Sequence, residues 1–134
     1  MTVDVLLDGV RAICLALPEV TEAPTHRAPT WFVRRRSFVK FVDPAEHRLD
    51  EPHVALWAAA PPGARHELVA ADPERFFGPP FGGRDWVAMR LDLRSGEPPW
   101  DEVREIVADV YRQVAPTTLV ARLGADQPGG SLGG

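Results

Sequence analysis

The sequence predicts an α+β domain in which an antiparallel sheet packs against helices, in the order α-β-β-β-α-β-α. Apolar residues recur at helical spacing near both ends of the chain and alternate with a period of two in between. The strands follow one another through short, hairpin-like connections and do not alternate with helices as βαβ units would.

At 134 residues the chain suits a single compact domain, and a 45% hydrophobic composition with four tryptophans can supply its core. The domain is expected over residues 1–123, because the glycine-rich stretch Gly124–Gly134 lacks side chains to pack and reads as a disordered tail. Fifteen basic against nineteen acidic residues leave a net charge of −4, which argues against bulk coating of nucleic acid but leaves room for a local basic patch. The single cysteine, Cys14, excludes an internal disulfide and a cysteine-built zinc cluster. No apolar run reaches membrane-spanning length and the N-terminus lacks a signal pattern, so a cytoplasmic location is the default expectation.

The elements follow in order. Leu6, Val10, Ile13, Cys14 and Leu17 form one helical face between Asp4 and Leu17, and Pro18 stops the helix. Residues 19–29, with Pro24 and Pro29, favour extended chain. A hairpin follows: Trp31 and Val33 face one way and Phe32 the other, Arg34-Arg35-Arg36 form the tip, and Phe38–Val42 return. The charged, proline-bounded segment Asp43–Pro52 reads as loop. In the next strand Val54, Leu56 and Ala58 alternate with His53, Ala55 and Trp57. Pro61-Pro62-Gly63 opens a short helix over Ala64–Ala71, and Asp72-Pro73-Glu74 signals one further helical turn. Gly78–Gly83 is loop, after which Val87, Met89, Leu91 and Leu93 alternate with Trp86, Ala88, Arg90 and Asp92. A last helix over Trp100–Val114 carries Trp100, Val103, Val107, Val110 and Val114 on one stripe, with Leu119–Leu123 docking after it.

Several of these segments resemble a known family. Leu17-Pro18-Glu19-Val20-Thr21-Glu22, His26, Ala28-Pro29 and Trp31-Phe32-Val33-Arg34 are similar to the MmcQ/YjbR family of small bacterial proteins. So are Ala59-Ala60-Pro61-Pro62-Gly63, Ala71-Asp72-Pro73-Glu74-Arg75-Phe76-Phe77, Pro79-Pro80-Phe81, Arg90-Leu91-Asp92 and Trp100-Asp101-Glu102-Val103. The resemblance covers about residues 5–123. It implies the α+β fold that the family shares with frataxin-like proteins, and the label DNA-binding, which goes with a two-winged shape. It implies no catalytic residue. The chain departs from the pattern at Arg27, where many relatives have glycine, and at Arg35-Arg36, where they have a Gly-Lys tip.

For function, Arg27, Arg34, Arg35, Arg36 and Lys40 place a formal +5 between residues 26 and 42 with no intervening acid. Guanidinium forks suit phosphate, so these residues are the expected contacts to double-stranded DNA. A solvated turn that blocks edge pairing is the plainer account. Neutralising about four phosphates gives a log–log salt slope of roughly −3.6, so a single patch binds weakly, and two copies in a homodimer or a second basic wing would be needed for useful affinity. The alternative is a small-molecule or protein-binding module whose pocket uses His26, Trp31, Trp57, Trp86 and Arg90, with core packing as the competing role for the tryptophans. His47 and His53 flank a loop with Asp43, Glu46, Asp50 and Glu51 but show no metal-binding spacing, and no nucleophile–base set is readable. No metal, cofactor or enzymatic activity is therefore expected.

Overall fold

The structure, a computed structural model, describes residues 2–47, 49–80, 85–93 and 98–126, the last three of these by backbone alone. Its elements are α1 (Val3–Leu15), β1 (Val20–Thr25), β2 (Ala28–Val33), β3 (Arg36–Val42), α2 (Pro44–His47), β4 (Ala55–Ala59), α3 (Ala64–Ala71), β5 (Phe76–Phe77), β6 (Trp86–Arg90), α4 (Trp100–Val114) and α5 (Thr117–Asp126). The strands make one six-stranded sheet in the order β1-β2-β3-β4-β6-β5, with every pairing antiparallel.

The predicted α+β architecture is present, with added elements. Residues 19–29 are not merely extended; most of them form β1 and the start of β2. β1 is an edge strand, where proline is tolerated. Its register also explains how both prolines fit. Thr25 and Ala28 flank a two-residue turn, so the next pair, Pro24 and Pro29, falls at a position that exchanges no ladder hydrogen bonds. Neither proline leaves a missing bond in this ladder. The single turn expected at Asp72 forms: its side chain accepts from the Arg75 backbone N–H at 3.3 Å, and the chain then pairs as β5. The tail expected from Gly124 starts inside α5, and residues 127–134 lie outside the described residues, as do Phe81–Arg84 of the glycine loop.

Alternation divides the sheet into two faces. Val54, Leu56, Ala58, Val87, Met89 and Leu91 join Trp31, Val33 and Phe41 beneath Leu6, Val10 and Cys14 of α1 and the valines of α4. Phe38 and Val39, expected on opposite faces, both enter this core. Trp31 pairs with Val39 and Phe32 with Ser37, so Phe38 is the extra residue of a bulge, which turns its ring inward. There it meets Tyr111 edge-on with ring centroids 5.9 Å apart, and the Tyr111 hydroxyl donates to the Pro18 carbonyl at 2.7 Å. Trp100 is structural, as its position at the head of an amphipathic helix suggests. Its indole lies over Gly9, where a Cβ would meet ring carbons at 2.2 Å, so a residue poor in helix propensity lets α1 and α4 approach.

Both hairpin turns of β2 use left-handed residues other than glycine: His26 and Arg27 (φ 49 and 66°) at one end, Arg34 and Arg35 (φ 49 and 70°) at the other. Two consecutive left-handed residues between paired strands make the primed turn that matches strand twist. Arg27 thus holds the glycine-type geometry despite its side chain. That conformation costs about 1–2 kcal/mol without glycine, against about 0.5–1 kcal/mol of extra chain entropy with it. Arg27→Gly should accordingly raise unfolding free energy by about 0.5–1 kcal/mol in urea titrations, and a loss of stability would show that the Arg27 side chain makes compensating contacts.

Candidate functional site

The second face of the sheet is covered differently. Val42, Ala55, Trp57 and Ala88 form a small buried cluster on it, packed by Leu49, Phe77 and Trp86, and none of its members comes from α1, α3, α4 or α5. Cross-strand register sets a row Thr30–Lys40–Trp57–Ala88–Phe77 along this face. Beside the row lies a cavity of about 330 Å³, lined by Thr25, His26, Ala28, Lys40, Val42, His47 and Trp57.

Local structure delivers each wall. The left-handed turn places His26 at the rim, the short α2 brings His47 from the other side, and the strands supply an apolar floor of Ala28, Val42 and Trp57. Among the described residues no carboxylate lines the cavity. Lys40 is half-buried and among the described residues has no carboxylate partner. Its ammonium lies 6.0 Å from the Trp86 ring centroid, the outer limit of a cation–π contact. Such a contact is worth roughly 0.5–1 kcal/mol, a weak substitute for the water or counter-charge that an ammonium normally holds.

The expected DNA contacts are not gathered into one patch. Arg27 and the Arg34–Arg36 tip sit at opposite ends of β2, and Lys40 belongs to the second face in mid-sheet. Arg34 is engaged by a two-pronged bond to Glu19, Nε–Oε1 2.7 Å and Nη2–Oε2 3.0 Å, which holds the Glu19 carboxyl below its usual range. Arg36 reaches the Val114 carbonyl at 3.5 Å, and Arg35 is exposed. Sequence reading missed Arg122, which the fold brings within 3.5 Å of Glu19 at this same end. Its distance along the chain hid it.

The expected pocket residues are also divided. His26 and Trp57 line the cavity, and Trp86 flanks it through Lys40. Trp31 lies on the opposite face, fully buried in the main core, with its indole N–H donating to Glu22 at 3.0 Å. Arg90 is committed to Glu51 by two bonds of 2.7 and 2.8 Å and to the Pro73 and Glu74 carbonyls, with its guanidinium 4.6 Å from the Phe77 ring centroid. It ties the 51–53 and 73–77 segments over the second cluster. His47 and Lys40 escaped the pocket reading, the first because its loop gave no fixed position and the second because it was counted with the arginines. His53 pairs with Asp92 at 3.0 Å, and no group of three or more His, Cys, Asp or Glu side chains able to hold a metal gathers among the described residues. No helix among them is long and apolar enough to cross a membrane.

Fold and register together define a small α+β protein whose six-stranded antiparallel sheet carries its four longer helices on one face and a cavity on the other. The YjbR family model matches residues 15–113, and the chain belongs to that family. A crystal structure of Deinococcus radiodurans protein DR2400, described by the family-model domain DUF419, has the same fold. It superimposes with a TM-score of 0.67 at 22% identity, over 92% of this chain and 93% of that one. No curated protein matches the chain.

Beneath the cavity hairpin, Glu22 accepts Arg11 Nε at 2.8 Å, Arg11 Nη2 at 2.9 Å and the Trp31 indole. The Arg11 bonds are the main cause that lowers its carboxyl from the ordinary value. A carboxyl depressed in the folded state contributes its full stability above the unfolded value, near 4.3, and loses it as pH falls through the folded value. Glu22→Gln should cost about 1–3 kcal/mol at pH 7 and progressively less below about pH 4.3. Denaturant titrations of both proteins at pH 7 and pH 3 measure this, and a penalty constant with pH would refute the linkage.

Proposed function

We propose that this YjbR-family protein is a non-enzymatic binding module that takes a small molecule in the second-face cavity. The observation that carries the reading is the cavity itself: about 330 Å³, apolar-floored by Trp57, Val42 and Ala28, with His26, His47 and Lys40 among its lining residues. That volume lies at the lower end of the roughly 300–1,000 Å³ of small-molecule sites, and an apolar lining with a few placed polar groups is their usual composition. The site rests on strands, one tight turn and the short α2, which hold it without a ligand-induced fold.

Contact with duplex DNA at the arginine tip is the second reading, favoured by the arrival of Arg122 beside Arg34, Arg35 and Arg36. With Arg34 engaged by Glu19, about three cations remain for phosphate, and the log–log salt slope falls to roughly −2.7. Affinity from one such tip would be weak at cellular salt.

A fragment screen on ¹⁵N-labelled protein separates the two. Fragments should shift the amides of His26, Lys40 and His47 and the Trp57 indole N–H, while a labelled duplex at 50 mM salt should move only the tip. If no fragment perturbs the cavity signals, the small-molecule reading fails. If the duplex is retained at 50 mM salt and Arg35→Ala with Arg36→Ala removes that retention, the DNA reading takes its place.

A further inference from the structure

The cavity's position in the sheet specifies the chemistry of its occupant, and this inference rests on the small-molecule reading above. A lysine that points onto an apolar sheet face usually guards an exposed edge against pairing with another chain. That explanation does not reach Lys40. β3 is an interior strand, paired with β2 on one side and β4 on the other. Its position opposite Thr30 and Trp57 sets the ammonium stem in mid-sheet, among Val42, Trp57 and Trp86. Elsewhere in the domain three half-buried arginines are matched by carboxylates: Arg11 by Glu22, Arg75 by Glu102 and Arg90 by Glu51. Lys40 has no such match among the described residues. The charge is left for something the described residues do not supply.

We infer that the cavity binds a small organic anion with a flat apolar body, its acidic group held by Lys40 with His26 and His47 beside it. The indole of Trp57 and the side chains of Val42 and Ala28 would then receive the flat body. Two features restrict the ligand. The floor is apolar, so a highly charged phosphate ester would strand charge against Val42 and Ala28. The absence of a lining carboxylate disfavours cations and leaves a monoanion unopposed.

The test uses 2-naphthoate and its uncharged relative 2-naphthamide as probes, with calorimetry on the full chain and on Lys40→Met. Methionine keeps an unbranched stem against Trp86 while removing the charge. Wild type should bind naphthoate at least about tenfold more tightly than naphthamide, the scale of one charge-assisted contact, and Lys40→Met should erase that preference while tryptophan emission shows the fold intact. Equal binding of the two probes to wild type, or a preference that survives in Lys40→Met, would overturn the anion assignment while leaving the cavity a small-molecule site. Silence from both probes at millimolar concentration would overturn the site together with the reading beneath it. Should Lys40→Met fail to fold, Lys40→Gln provides the same comparison.

Discussion

The four longer helices of this domain, α1, α3, α4 and α5, lie on one face of the sheet, and everything distinctive about the molecule follows from that one-sidedness. A central strand such as β4 cannot leave Trp57 and Ala55 in water, yet none of these four helices covers them. Coverage comes from short pieces: Leu49 from the loop after α2, Phe77 of β5, and Trp86 across β6. Arg90 fixes two of those pieces by binding Glu51 and the Pro73 and Glu74 carbonyls while stacking on Phe77. A layer assembled from fragments leaves gaps that a helix would fill. The cavity beside Trp57 is such a gap, lined at one side by Thr25 and His26 of the β1–β2 hairpin.

The sequence disclosed periodic features and concealed those that depend on distant partners. The two faces of β4 and β6 were readable because alternation fixes which residues lie together. Trp100 and the stripe of α4 were readable for the corresponding helical reason. β1 was only partly legible: its prolines announced extended chain, but pairing depends on where a two-residue turn sets the register. The inward turn of Phe38 could not be read at all, because a bulge breaks the very alternation used to predict facing.

The candidate site shows the same division more sharply. Five cations close in sequence suggested one patch, but a strand carries its two ends about 3.3 Å further apart with every residue. The six residues of β2 therefore place Arg27 well away from Arg34. Sequence proximity also hid the counter-charge, since Glu19 lies fifteen positions before Arg34 and meets it only because β1 pairs with β2 in a defined register. Lys40 was grouped with the arginines by charge, whereas the fold groups it with Thr30 and Trp57 by register.

Backbone strain distinguishes the two ends of β2 further. Each turn holds a pair of residues in a conformation that favours glycine, so each carries a local cost. At the arginine tip part of that cost is offset nearby, because the left-handed turn aims Arg34 at Glu19, itself left-handed at φ 57°, and Glu19 also meets Arg122. At the other end His26 and Arg27 make no side-chain hydrogen bond or ion pair among the described residues, so no local interaction offsets the strain. Uncompensated strain in a stable fold points to a role that the isolated chain does not reveal. Here it holds His26 beside a hollow whose floor is apolar and whose lysine has no carboxylate partner among the described residues. A bound ligand would engage both, and the turn would then be pre-set for binding at a standing cost to stability.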